Sequence, residues 1–201
     1  MLKPRINPTR LEAGCDEVGR GCLAGPVVAA AVILPCDFQH KNLYDSKLLT
    51  EKNRHLMLHE ITKNALSWSV SFVSPVIIDR INILNASFKA MERAVSHLDV
   101  TPEHLLIDGN RFKSNLNIPF TCIVKGDQKN ASIAASSILA KTYRDEYMRM
   151  IHHEHPEFGW NKNVGYPTRA HRNAIRSFGI TQYHRKSYKL LPDQLELTFS
   201  D

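Results

Sequence analysis

The chain lacks the usual marks of a secreted, redox or membrane protein. Its four cysteines, Cys15, Cys22, Cys36 and Cys122, form no CxxC pair. They read as reduced packing residues of a cytoplasmic protein. Cys22 has no base beside it in sequence, which argues against a nucleophilic role. The longest apolar run, Val27 to Leu34, falls far short of the roughly 20 residues a membrane-spanning helix needs. The opening MLKPRINPTRLEAG has no apolar core of a signal peptide, so the expectation is a cytoplasmic protein. Repeats, low-complexity tracts and long linkers are missing. No Ser-His or Cys-His pattern announces a protein nucleophile. Acidic residues are in deficit: 20 Asp and Glu against 26 Lys and Arg leave a formal charge of +6. That excess favours polyanionic partners, nucleic acid above all, although a solvated basic surface explains it equally well.

What is present suits a soluble globular chain of 201 residues, 43% hydrophobic and 23% charged, large enough for a real core. Leu11 to Glu17 reads as a strand. Val27 to Leu34 is a second strand, rich in β-branched residues and ended by Pro35. The Gly-rich link between them suits a hairpin. Thr50 is an N-cap for a helix to Ala65. Ser67 to Val73 alternates Trp68, Val70 and Phe72 with serines, a strand with one buried face. Ser74-Pro75 opens helical territory, a short piece to Ile81 and a longer one from about Ala86 to Leu98. Short strands follow at Glu103 to Ile107 and Pro119 to Val124, then a helix from Ile133 to His153 and another from Thr168 to Phe178 capped by Gly179. The order predicts an α/β fold, a mixed sheet with helices packed against it.

Asp16, Asp108 and Asp127 each come at or just after the end of a predicted short apolar strand. If those strands are neighbours, three carboxylates meet at one sheet edge. Crowded acids are costly unless a cation neutralises them. All-oxygen ligands point to Mg²⁺ or Mn²⁺ rather than Zn²⁺. Two such ions roughly 4 Å apart activate water and stabilise a leaving oxygen at a phosphodiester. Glu17 lies on the opposite strand face from Asp16, so it joins the site only where the strand ends or twists, or through its carbonyl. Taken alone, each acid is equally a turn former or a surface charge. Gly19 and Gly21 flank Arg20 and leave the backbone bare for close approach to a ligand, where Arg20 would grip a phosphate. Such a loop would test a 2′-hydroxyl, the group that separates RNA from DNA. A plain tight turn accounts for the same three residues.

Several separated blocks resemble a known family: AGCDEVGRGCLAGPVVAAAVI, LYDSKLLTEKNR, DRINILNASFKAM, LIDGNRF, VKGDQKNASIAASSILAKTYRDEYM, GYPTRAH and HRKSY, in family order from Ala13 to Tyr188. The chain is similar to bacterial ribonuclease HII, also called type 2 ribonuclease H. The resemblance implies a ribonuclease H-like mixed β-sheet flanked by helices, with a small helical C-terminal part; the division expected is a catalytic core over 1–155 and a substrate-binding part with tail over 156–201. It implies endonucleolytic cleavage of the RNA strand of RNA–DNA hybrids and cutting 5′ of single ribonucleotides embedded in duplex DNA. The acidic motif falls on Asp16, Glu17, Asp108 and Asp127, as catalytic residues and metal ligands. The ribonucleotide-reading motif falls on Gly19, Arg20 and Gly21, and the tyrosine of the GY motif on Tyr166, whose ring in the family stacks on the sugar of the following deoxynucleotide. Two departures stand out: Cys22 where proline is common after GRG, and Leu48 where a second lysine is common. Lys47 is available as a substrate-binding residue or is an ordinary surface lysine.

Asp145 competes with Asp127 as the fourth acid. It lies eleven residues beyond Ala134 on a helix, roughly 16 Å further along at 1.5 Å per residue, so Asp127 is preferred and Asp145 is read as an ion-pair partner. His152, His153 and His155 signal no third ligand and suit a helix C-terminus. Lys125, Lys129, Lys141, Arg144, Lys162, Arg169, His171, His184, Arg185 and Lys186 are drawn as a phosphate track, although each alone is more often a solvated charge. The tail QLELTF is similar to peptides that bind the bacterial sliding clamp, with Gln194, Leu195, Leu197 and Phe199 as anchors; a last strand or turn packed on the domain is the alternative. The expected mechanism is two-metal hydrolysis leaving 3′-hydroxyl and 5′-phosphate ends, by a monomer. A different nuclease of the same fold and a non-catalytic nucleic-acid binding module are the rivals.

Overall fold

A computed structural model describes residues 2–41, 43 and 49–192. Lys47 and the four tail anchors Gln194, Leu195, Leu197 and Phe199 lie outside the described residues. Five strands, β1 (Glu12–Val18), β2 (Val27–Ile33), β3 (Ser67–Val73), β4 (His104–Asp108) and β5 (Phe120–Ile123), form one sheet in the order β3-β2-β1-β4-β5. β1, β2 and β3 pair antiparallel, while β4 runs parallel to both β1 and β5. The sheet is therefore mixed, as the element order predicted. Its helices are α1 (Glu51–Asn64), α2 (Pro75–Ser96), α3 (Ala131–His152), the single turn α4 (Trp160–Asn163) and α5 (Arg169–Phe178).

β2 is buried along its whole length, because both faces of the sheet are covered. Its side chains alternate. Val27, Ala29, Ala31 and Ile33 pack with Ala13, Cys15 and the apolar side of α2. Val28, Ala30 and Val32 pack with Met57 and Ile61 of α1 and with Ala134, Ala135 and Ile138 of α3. The small residues at the centre let the helices approach closely. Gly14 is the tightest point: a Cβ there would sit 2.2 Å from the Ser132 carbonyl carbon in the first turn of α3. A third apolar cluster joins the C-terminal part to the rest, with Leu23, Ala24, Met148 and Ile151 around Phe158, Trp160 and Ile175.

The ends of the helices follow their caps. Thr50 and Thr168 accept from Asn53 N and His171 N, as N-caps do. α3 begins two residues before the predicted Ile133, because Asn130 caps it by accepting from Ile133 N at 3.1 Å. The predicted interruption of α2 is present, directly after Ile81. Asn82 leaves helical geometry at φ 62, and its Oδ1 accepts from Asn85 N at 3.1 Å, so it caps the second segment. Asparagine tolerates that left-handed φ better than most residues. α3 ends at His152, which leaves His155 beyond the helix, 3.3 Å from Glu157. Among the described residues no helix is long and apolar enough to cross a membrane.

The C-terminal part holds a buried histidine pair. His171 Nδ1 lies 2.9 Å from the Tyr166 carbonyl, so that nitrogen carries the proton, and His171 Nε2 accepts from Trp160 Nε1 at 3.1 Å. His184 Nδ1 accepts from Thr181 N at 3.0 Å, which places its proton on Nε2, 3.3 Å from His171 Nε2. Both rings are fully used as neutral groups. Burial, then His171 and His155, push His184 down to about 4, and burial lowers His171 too. The unfolded chain thus binds more protons than the folded one between about 4 and the ordinary histidine value of about 6.5. This stabilisation is complete above about 6.5 and is lost as pH falls toward 4. Denaturant unfolding followed by tryptophan fluorescence should show it, as a steeper loss of stability over that window in the wild type than in His184→Gln. Parallel pH profiles for the two proteins would exclude the histidine as the cause.

Candidate active site

The parallel pairing of β1 and β4 sets Cys15 level with Ile107, so the next residues, Asp16 and Asp108, stand side by side where the two strands end. The carboxyl ends of strands in an open α/β sheet are where ligands bind. Two cavities of about 280 Å³ each meet there. One lies on the α3 side, lined by Asp16, Ser137, Lys141 and Tyr166. The other lies on the α2 side, lined by Arg20, Phe88, Met91 and Arg111. Glu17 and Asp108 line both. Asp16 thus lines only the α3-side cavity, while Glu17 and Asp108 reach both. Asp16 is buried, and its Oδ1 accepts from Glu17 N at 2.7 Å.

Asp127, expected as a fourth acid, lies on a different element. Asp127 is buried in a tight 3-10 turn, Gly126–Gln128, between β5 and α3. That turn is fixed to β4, because Gly126 N donates to Asp108 Oδ1 at 2.6 Å. Asp127 lies one residue from this bond but does not line either cavity. Asp145 is elsewhere: it is buried in ion pairs with Arg54 at 3.1 Å and Lys141 at 2.7 Å, the role expected for it. Lys141 is thus both a wall of the α3-side cavity and a partner of Asp145.

The electrostatics at the edge are unfavourable for the protein alone. Burial, then the Glu17 and Asp108 carboxylates, push the Asp16 carboxyl well above its ordinary range, against hydrogen bonds from Ser137 and the Glu17 amide. Burial raises Glu17 as well, opposed by Arg20, which pairs with it at 3.1 Å. Among the described residues no three His, Cys, Asp or Glu side chains already stand arranged to hold a metal ion. The donor chemistry nonetheless fits a hard divalent cation: carboxylate oxygens, mutually repelling, at the mouth of an open cavity.

The glycines of the loop after β1 have distinct jobs. Gly19 has φ +93, and a Cβ on it would meet the Arg144 guanidinium at 2.2 Å. Gly21 has no such demand: its φ is not left-handed, and nothing lies within 4 Å of an added Cβ. Its bareness serves no internal contact. Arg20 between them is exposed except for its bond to Glu17. Tyr166 faces the α3-side cavity, 40% exposed, on a turn held by Gly165 (φ +84), whose carbonyl accepts from Leu23 N at 2.8 Å. Burial, then Cys22, raises the Tyr166 hydroxyl, so the departure from proline at Cys22 falls directly behind the tyrosine.

The phosphate track drawn from sequence needs correction. Arg144, His171, His184 and Arg185 are buried. Their polar atoms serve the interior, with the arginines donating to backbone carbonyls and the histidines joined in the network above. The sequence reading missed Ser137 and Arg111 as cavity walls, because nothing in their spacing distinguishes them from helix and loop residues.

The family model described as Ribonuclease HII matches residues 13–191. A ribonuclease HII of Bacteroides thetaiotaomicron is 60% identical over 200 residues, which cover 99% of this chain and 100% of its own. Among solved structures, the ribonuclease H2 of Pyrococcus horikoshii OT3 superposes with a TM-score of 0.74 at 22% identity, over 89% of this chain and 94% of its own. The ribonuclease HII of Archaeoglobus fulgidus, solved as a PCNA:RNase HII complex, gives 0.74 at 25% identity over 92% and 98%.

The two close glycines give opposite expectations for stability. Gly14→Ala forces a side chain into the backbone of α3 and should cost about 1–3 kcal/mol or more. Gly21→Ala enters open space and should stabilise by about 0.4–1 kcal/mol through the unfolded chain. Urea unfolding of both variants checks this; a Gly21→Ala protein as damaged as Gly14→Ala would show that the loop is packed against something.

Proposed function

The chain belongs to the ribonuclease HII family and is a ribonuclease H, and on that premise we propose that it cuts the RNA strand of RNA–DNA hybrids and cleaves 5′ of single ribonucleotides embedded in duplex DNA. The observation that carries this reading is the meeting of Asp16, Glu17 and Asp108 at one cavity edge with Arg20 on one side and Tyr166 on the other. Residues 1–155 form the catalytic core, and 156–201 supply the substrate-binding part.

Asp16, Glu17, Asp108 and Asp127 would hold Mg²⁺ or Mn²⁺, and two such ions would supply an activated water and neutralise the departing 3′ oxygen, leaving 3′-hydroxyl and 5′-phosphate ends. The chain's own part is placement. The acids present oxygen donors at the ends of β1 and β4. Arg20, paired with Glu17 in this structure, would turn its planar fork to a phosphate. The Gly21 backbone, with open space before it, meets the ribose 2′-hydroxyl. The Tyr166 ring packs on the next sugar, where a 2′-hydroxyl would be crowded. Selectivity then comes from sugars and not from base edges. Lys47 would add a further substrate contact.

The tail at Gln194, Leu195, Leu197 and Phe199 docks on the sliding clamp. Support comes from the Archaeoglobus fulgidus relative, which was solved with PCNA. Truncation after Pro192 should abolish clamp binding in a pull-down and spare cleavage of naked substrate. Undiminished binding would discard this part of the reading.

The central test is a DNA duplex with one embedded ribonucleotide, incubated with Mg²⁺, with Mn²⁺ or with chelator. Cleavage should require metal. Asp127→Asn should lower it by about 100-fold or more, whereas Asp145→Asn, at a carboxylate paired with Arg54 and Lys141, should leave it near wild type. Equal losses would reverse the choice of fourth acid. A well-folded wild type that leaves the duplex whole in both metals would defeat the proposal.

A further inference from the structure

Two buried arginines are not used by this chemistry. Arg144 donates to the carbonyls of Pro26 at 3.0 Å, Ala24 at 3.1 Å and Val164 at 2.8 Å. Arg185 donates through Nε and Nη2 to the Gly25 carbonyl at 3.0 and 2.9 Å, and through Nη1 to the Arg20 carbonyl at 2.9 Å. Both are 0% exposed, and neither has a carboxylate partner among the described residues. A buried guanidinium satisfied only by carbonyls is costly to desolvate, so its placement calls for a reason.

The Arg20 carbonyl supplies one. It also accepts from the Tyr188 hydroxyl at 2.7 Å, and that hydroxyl in turn accepts from Arg185 Nη1 at 3.2 Å. Two donors, one of them charged, thus hold a single carbonyl. That carbonyl shares its peptide unit with the Gly21 N–H. The unit is planar and trans, so the two groups point in opposite directions. With the carbonyl drawn inward, the Gly21 N–H must face the opposite way, away from Arg185 and Tyr188, on a residue that is exposed. Charge drawn onto the carbonyl also polarises the amide and makes its N–H a better donor. The segment carrying Arg185 is itself anchored: Arg185 N donates to Leu23 O at 2.9 Å, and Asp79 accepts from Lys186 N and Ser187 N at 3.0 and 2.9 Å.

We propose that Arg185 and Tyr188 are positioning residues for ribose recognition, fixing and polarising the Arg20–Gly21 peptide so that its N–H meets the 2′-hydroxyl. This rests on the reading of Gly21 as part of the ribose sensor. Neither residue touches substrate. Their effect is carried through one backbone unit, and it should be specific to the sugar.

The experiment compares wild type, Tyr188→Phe and Arg185→Lys for binding, by fluorescence anisotropy in chelator, to a duplex with one embedded ribonucleotide and to the same duplex in all-DNA form. Wild type should prefer the ribonucleotide duplex. Tyr188→Phe should shrink that preference by about 2- to 10-fold, the worth of one hydrogen bond, with all-DNA binding unchanged. In Mg²⁺ the same variant should raise KM and keep kcat. Arg185→Lys, which keeps the charge but loses the fork, should show the same pattern, and Tyr188→Phe decides the matter if the lysine variant does not fold. An undiminished preference in Tyr188→Phe, or equal weakening on both duplexes, overturns the positioning role while leaving the ribose sensor standing. A wild type with no preference removes the sensor itself and this inference with it.

Discussion

Repulsion among carboxylates at the ends of two parallel strands is the constraint around which the fold is arranged. Asp16 and Asp108 are brought level by the β1–β4 register, and Glu17 lines the cavities on both sides of them. A sheet edge of this kind is poor for stability and suitable for binding, because charge held in a buried position is most strongly relieved by a cation. The rest of the molecule makes the strain tolerable. Both sheet faces are covered by apolar clusters, and the close seat of α3 on Gly14 keeps β1 from shifting.

In the proposed function the acids form the reaction end, and the buried positive charge lies behind the loop proposed for recognition. Arg144 and Arg185 lie under the loop that links β1 to β2 and tie it to the turn before Tyr166 and to the C-terminal segment. The loop and the tyrosine therefore move as one unit, and the third apolar cluster, built around Phe158 and Trp160, supports that unit from behind. The neutral histidine pair belongs to the same support, since His171 holds the Tyr166 carbonyl.

Much of this was legible in the residues. The alternation in Ser67–Val73, the threonine caps and the hairpin from β1 to β2 were read directly, because each is a local signal. Asp16 and Asp108 were expected at one edge from their strand positions and stand level there, whereas Asp127 sits in the adjoining turn and lines neither cavity. What escaped was set by tertiary contacts. Arg144 and Arg185 look like surface charges, and only the carbonyls that turn toward them in the folded chain make their burial tolerable. The start of α3 was missed by two residues because Asn130 lies inside a polar turn where a cap looks like any loop asparagine. The break in α2 was expected after Ile81 and falls there, at Asn82, but the left-handed φ that makes it was not.

Gly14 and Gly21 carry the same side chain for unrelated reasons, and this has an evolutionary consequence. The first is held by the helix against it. Selection for a folded chain alone would preserve it, whatever the chain bound. The second has only empty space before it, so drift would fill that space in any descendant that had abandoned the ancestral ligand. A lineage with an intact scaffold and a bulky residue at position 21 would mark a protein that had changed its trade.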